Sequence, residues 1–223
     1  MRINWKTVST LVTTIVIAGC MENGVSSPQV LTSGPAPMMM APEGHPSLSL
    51  KGNSPSNTSG DFTVGQQGGL FFVGNHAVYF PAHSICDPAT SSYGEGTWDA
   101  PCDVVKGSVT IHAEVRTATL GTWVDFTPSL RFAPSTNPNK WVWIYMYTPS
   151  ALGAADLSKF GILYAKSMGA PGVDEASTDA TLRTYVDTFG GLSSRRIKHF
   201  SGFMTSSGKS CDPETSADCF PRP

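Results

Sequence analysis

Gly107-Ser-Val-Thr-Ile-His-Ala-Glu-Val-Arg-Thr117 decides the fold. Val109, Ile111, Ala113 and Val115 alternate with Thr110, His112, Glu114 and Arg116. An apolar residue at every second position marks a strand with one face on a core and one in water.

Working outward, the neighbouring segments repeat this signal at short spacing. Leu70–Val73 and His76–Phe80 flank Gly74-Asn75, which predicts a β-hairpin closed by a primed two-residue turn. Thr122–Phe126, Ser129–Phe132 and Lys140–Tyr147 predict further strands, with Pro and Gly between them. Lys159–Ala165, Leu182–Phe189 and Arg195–Met204 predict the closing strands. No segment carries a ten-residue helical stripe. The expectation is all-β: one antiparallel β-sandwich over residues 67–208, with a loose tail over 209–223.

The N-terminus reads differently. Arg2 and Lys6 precede a short apolar run, Val8–Ile17, which suits a secretory signal and is too short to span a bilayer. Ile17-Ala18-Gly19-Cys20 resembles the lipobox of bacterial lipoproteins. That resemblance implies cleavage after residue 19 and acylation of Cys20. Each buried methylene contributes about 0.8 kcal/mol, so two or three chains anchor firmly where one is marginal. Met21 rather than Asp after the cysteine implies, by the enteric sorting rule, passage to the outer membrane. Residues 20–66 hold six prolines among Ser, Gly and Asn with no apolar period, so a disordered tether is expected. Such an arm reaches some tens of Å from the membrane.

Cys20 aside, four of the five cysteines remain in an exported chain, where disulfides are the default. Nearest-partner pairing gives Cys86–Cys102 and Cys211–Cys219, the first closing a loop for roughly 3 kcal/mol in the loop-entropy picture. The alternative is a metal site of His83, Cys86, Cys102 and His112, whose spacing misses the zinc-finger pattern. The acidic loop Asp174–Asp179 lacks calcium-loop spacing and is expected to be a solvated turn. Arg195, Arg196 and Lys198 are expected on an exposed strand face.

The order of segments has a further likeness. Gly68-Gly69, Phe80-Pro-Ala82, Val109-Thr-Ile111, Phe126-Thr-Pro-Ser-Leu-Arg-Phe-Ala-Pro134 and a Trp/Tyr strand ending in Thr148-Pro149 resemble the zona-occludens/netrin-receptor β-sandwich. That module also occurs in ankyrins and bacterial surface proteins. The resemblance covers Gly68 to about Gly202 and implies the sandwich fold and an interaction-type role. The Cys86–Cys102 insert departs from the eukaryotic pattern. In some eukaryotic members a His-Phe-Ser triplet cuts itself between Phe and Ser, and this chain has His199-Phe200-Ser201.

A net charge of −2 excludes an electrostatic footprint for nucleic acid. No nucleophile elbow, P-loop, zinc-protease or dinucleotide motif occurs, so no enzyme acting on other molecules and no cofactor are expected. The candidate binding surface is the strand 141–147. Trp141, Trp143, Tyr145 and Tyr147 share one face, which is either a flat platform for the sugar rings of an envelope glycan or a packed aromatic layer; another envelope protein is a further expected partner of the module. The functional expectation is a non-catalytic binding or structural module, anchored in the envelope through acylated Cys20. Self-processing at Phe200–Ser201 is the alternative.

Overall fold

A computed structural model describes residues 58–207, apart from 119–120, 154–156, 158–159, 168–169 and 171. Cys20 and the Cys211–Cys219 pair lie outside the described residues. Among the described residues, ten strands form two antiparallel five-stranded sheets. They are β1 (Thr58–Val64), β2 (Gly69–Val73), β3 (His76–Phe80), β4 (Val109–Ala118), β5 (Gly121–Thr127), β6 (Val142–Tyr147), β7 (Phe160–Ala165), β8 (Thr184–Asp187), β9 (Leu192–Ile197) and β10 (Gly202–Ser207). One sheet runs β1-β4-β5-β10-β7; the other runs β2-β3-β6-β9-β8.

The alternation in β4 does what its pattern dictates. Ile111, Ala113 and Val115 are buried, while His112 and Arg116 face solvent. Ile111, Ala113 and Val115 meet Val78, Ile144, Val142 and Met146 of the facing sheet in one core with Phe80, Phe126, Phe200 and Phe203. The β2–β3 hairpin pairs Val73 with His76 across Gly74-Asn75, and Gly74 takes the positive φ (57°) that a primed turn requires.

Three expectations are corrected. The tether does not run to residue 66, because Thr58–Val64 is a full edge strand paired residue for residue with β4. Only Phe62 and Val64 carry its apolar period, too short a pattern to register; Phe62 stacks on Phe71 at 4.9 Å. Ser129–Phe132 is no strand of either sheet; Arg131 and Phe132 make isolated bridges to His199 and Ile85. Residues 195–204 are not one strand. The chain leaves β9 after Ile197, crosses between sheets over 198–201, and enters β10 at Gly202.

A buried histidine makes the fold pH-sensitive. His76 is 3% exposed, and its Nδ1 accepts the Tyr147 N–H at 3.1 Å, which requires neutral imidazole. Burial lowers its pKa to about 4 from the ordinary 6.5. The unfolded chain therefore takes up a proton that the fold refuses, and stability is lost as pH falls from 6.5 to about 4. The loss approaches roughly 3 kcal/mol for this group. Urea midpoints of the wild type should fall across that window, whereas His76→Asn, which keeps an acceptor but does not titrate, should be flatter. Equal slopes would remove His76 as the cause.

Candidate functional site

Buried polar side chains collect where the chain passes from β9 to β10: Arg195 and Arg196 near the end of β9 and His199 in the crossing. Two residues hold it in place. Phe200 is fully buried, stacked on Phe126 at 4.2 Å and met edge-on by Phe80 (5.6 Å) and Phe132 (4.9 Å). Its N–H donates to the Leu130 carbonyl at 2.6 Å. Gly202 runs so close to Trp123 that a Cβ there would sit 2.7 Å from the indole and 2.8 Å from the Ala165 carbonyl oxygen. Only glycine fits, so the Phe200–Ser201 peptide is pinned from both sides.

His199, immediately before these anchors, is also fully buried. Its ring stacks on Trp98 at 4.0 Å and meets Tyr164 edge-on at 4.8 Å. Nε2 lies 3.0 Å from Oε1 of Glu175. Nδ1 faces the Ser201 hydroxyl at 3.5 Å, the outer edge of hydrogen-bond range. With Glu175 ionised, the network assigns the proton to Nε2 and leaves the Nδ1 lone pair towards Ser201. Glu175, His199 and Ser201 thus stand as carboxylate, imidazole and hydroxyl in series, the arrangement that activates a serine nucleophile.

The carboxylate is itself held. Arg195, with a fully buried side chain, gives Glu175 Oε2 a 2.7 Å contact, donates to the Ile162 carbonyl, and lies 4.0 Å from Asp174. Burial alone would push the Glu175 carboxyl up. The His199 hydrogen bond, with the charges of Arg195 and Lys198, outweighs it and holds the group below its ordinary range. Lys198 bonds Asp99 and Asp179, each at 2.7 Å. Burial would likewise raise the Asp179 carboxyl, but bonds from Lys198 and Thr181 bring its pKa down to about 2.

These contacts overturn two expectations. The basic cluster is not an exposed face: Arg195 and Arg196 are buried and Lys198 nearly so. The acidic loop is a solvated turn only in part: Asp174 is exposed, but Glu175 and Asp179 turn inward to Arg195 and Lys198. The reason is compensation: Arg195 and Lys198 meet carboxylates, while Arg196 is held by the Thr181 hydroxyl and the face of Trp141. Opposite charge in the two segments was the available signal, though each segment alone read as surface.

The Cys86–Cys102 insert closes over the cluster. The disulfide is formed, which removes both thiols from any metal site, and His112 instead pairs with Asp61 at 2.6 Å on the surface. Among the described residues no cluster of His, Cys, Asp or Glu is arranged to hold a metal ion. The insert brings Tyr93, whose hydroxyl donates to the Phe200 carbonyl oxygen and lies 3.4 Å from Ser201 Oγ. Neither Glu175 nor Tyr93 was a sequence candidate. Their partners lie 24 and 107 residues away, beyond any local pattern.

The aromatic strand is packed rather than open. Trp143 and Tyr145 are each 1% exposed, layered with Ala77, Leu192, Leu70, Tyr79 and Tyr185. Trp141 is half-buried, donates its indole N–H to the Ser135 carbonyl at 2.7 Å, and lies under the Arg196 guanidinium at 4.2 Å. These rings form a second apolar layer on the outer face of their sheet and present no flat platform.

Among the described residues no helix is long and apolar enough to cross a membrane. Set beside known proteins, the chain finds no counterpart: no family model, no curated protein and no solved structure matches it.

Proposed function

We propose that this chain is an exported, lipid-anchored envelope module that cuts itself between Phe200 and Ser201. The observation that carries the reading is the Glu175–His199–Ser201 series, set against a peptide pinned by Phe200 and Gly202. Ser201 Oγ follows the Phe200 carbonyl in the chain, so attack is intramolecular and spends little translational entropy. His199 Nδ1 takes the hydroxyl proton as the Oγ–C bond forms. The tetrahedral centre collapses by breaking the C–N bond, and the same imidazole returns the proton to the departing amine. Water then hydrolyses the ester, leaving the Phe200 carboxylate and a free Ser201 hydroxyl and amine. Glu175 orients the imidazole and favours its charged form while it holds the proton.

The nicked domain would remain assembled. β10 lies between β5 and β7, pairs six residues with β7, and buries Phe203 fully. No disulfide described here ties the fragment Ser201–Pro223 to the body. Among the described residues, strand pairing and the buried Phe203 hold it without a covalent link, so a cut shows only under denaturing conditions.

Hydroxylamine tests the chemistry, since it intercepts an ester and leaves a hydroxamate. Incubating the full chain with it should speed cutting and place a hydroxamate on Phe200. No fragment beginning at Ser201, with or without hydroxylamine, would end the reading. The anchor is checked separately. Cys20→Ser should move the protein from the membrane to the soluble fraction, and a variant still wholly membrane-bound would contradict lipidation.

A further inference from the structure

The Cys86–Cys102 insert makes more contacts with the crossing than loop closure demands. Its first residue is fixed beside the site, because the Cys86 N–H donates to the Arg131 carbonyl at 2.9 Å and Arg131 in turn bridges to His199. Its far half is gripped by the buried Arg131 guanidinium, which donates to the carbonyls of Thr97 (2.6 Å) and Ala100. Lys198 holds Asp99 at 2.7 Å. Between these grips Trp98 covers the His199 ring and stands edge-on to Tyr93 at 5.0 Å. Tyr93 aims its hydroxyl at the Phe200 carbonyl oxygen.

That oxygen is the atom on which negative charge develops when Ser201 attacks. A preplaced donor there is worth far more to the transition state than to the ground state, because the bond strengthens as charge accumulates. Among the described side chains with contacts at this peptide, Tyr93 alone donates to that oxygen. We propose, resting on the self-cleavage reading above, that Tyr93 is the oxyanion donor of the reaction and that the Cys86–Cys102 disulfide presents it. Tyr93 is then a catalytic residue, and the insert is a cap that completes the site only when oxidised. Burial raises the Tyr93 phenol above its ordinary pKa, so it remains a protonated donor. Oxidation removes two electrons and two protons from the thiols, and an acceptor disulfide such as glutathione disulfide takes them up as two thiols. Cutting would then be confined to an oxidising compartment, after export.

The test uses the full chain, translated in a cell-free mixture with dithiothreitol and then exchanged into glutathione disulfide. Fragment Ser201–Pro223 is followed on denaturing gels. The reduced wild type should stay intact and begin cutting once the disulfide closes. Oxidised Tyr93→Phe keeps the ring against Trp98 and loses only the hydroxyl, and should cut about 10²–10³-fold more slowly. Its urea midpoint reports whether the fold is retained; if it does not fold, the redox comparison on the wild type decides. Two results overturn the assignment: folded, oxidised Tyr93→Phe cutting as fast as wild type, or reduced wild type cutting as fast as oxidised. In either case self-cleavage itself stands. An oxidised wild type that never cuts removes both readings together.

Discussion

Arg195→Met is expected to destabilise the sandwich by about 3–5 kcal/mol, a large share of the 5–15 kcal/mol typical of a domain. The guanidinium has no exposed surface and sits 2.7 Å from Glu175 Oε2. Methionine fills much of the volume, so the loss is not mainly a cavity. It is the Glu175 carboxylate, left in the interior with His199 as its remaining close partner. An uncompensated buried charge is the costly state; an absent pair is not. Arg195→Met with Glu175→Leu should therefore recover much of the loss, because no orphan charge remains. Urea unfolding of the two variants checks this. A single variant within 1 kcal/mol of wild type, or a double variant markedly worse than the single, would show that the pair is not desolvated as described. Linkage gives a second readout. Glu175 titrates below its ordinary range in the fold, so its contribution is complete above that range and is lost as pH falls through the depressed folded value. The wild type should show this acid loss, and the double variant should not show it from this group.

His199→Gln is expected to slow self-cleavage by about 10²–10⁴-fold, the usual worth of a positioned general base. Glutamine is close to histidine in reach and can still hydrogen-bond Glu175, but its amide does not accept the Ser201 proton at neutral pH. The fold should persist, because the Trp98 stack is replaced by a flat amide of similar thickness. Ser201→Ala removes the nucleophile and should give no cut at all, while Ser201→Cys supplies a better one and should retain cutting. Pulse-labelled chains sampled over time on denaturing gels give the rates. Wild-type speed in His199→Gln would leave the imidazole as a packing residue only.

The sandwich was legible where a single strand carried its own signal. The apolar alternation of β4, the Gly74-Asn75 hairpin and the aliphatic face of β6 each encode their burial locally. β1 was not legible, since its edge position needs only Phe62 and Val64 to face inward. The break after Ile197 was missed for a different reason. Residues 195–204 have strand character throughout, and what forces the crossing is contact with Leu130, Trp123 and Phe126, all remote in sequence. The triplet His199-Phe200-Ser201 was visible as residues but not as a site. Glu175 stood in a loop read as solvated, and Tyr93 and Trp98 stood in an insert read only for its cysteines. Two aromatics within a Ser/Gly-rich, disulfide-closed loop were the sign that the loop covers something. Burial of Arg195 and Arg196 has no local signature, because it exists only once Asp174, Glu175 and Asp179 arrive from another part of the chain.

The most direct measurement is the intact mass of the oxidised full chain in denaturant, beside Ser201→Ala prepared identically. The wild type should give two chains, one ending in a Phe200 carboxylate and one beginning with a free Ser201 amine, and the variant a single uncut chain. A wild type that flies as one chain, differing from Ser201→Ala only by the serine oxygen, would contradict self-cleavage.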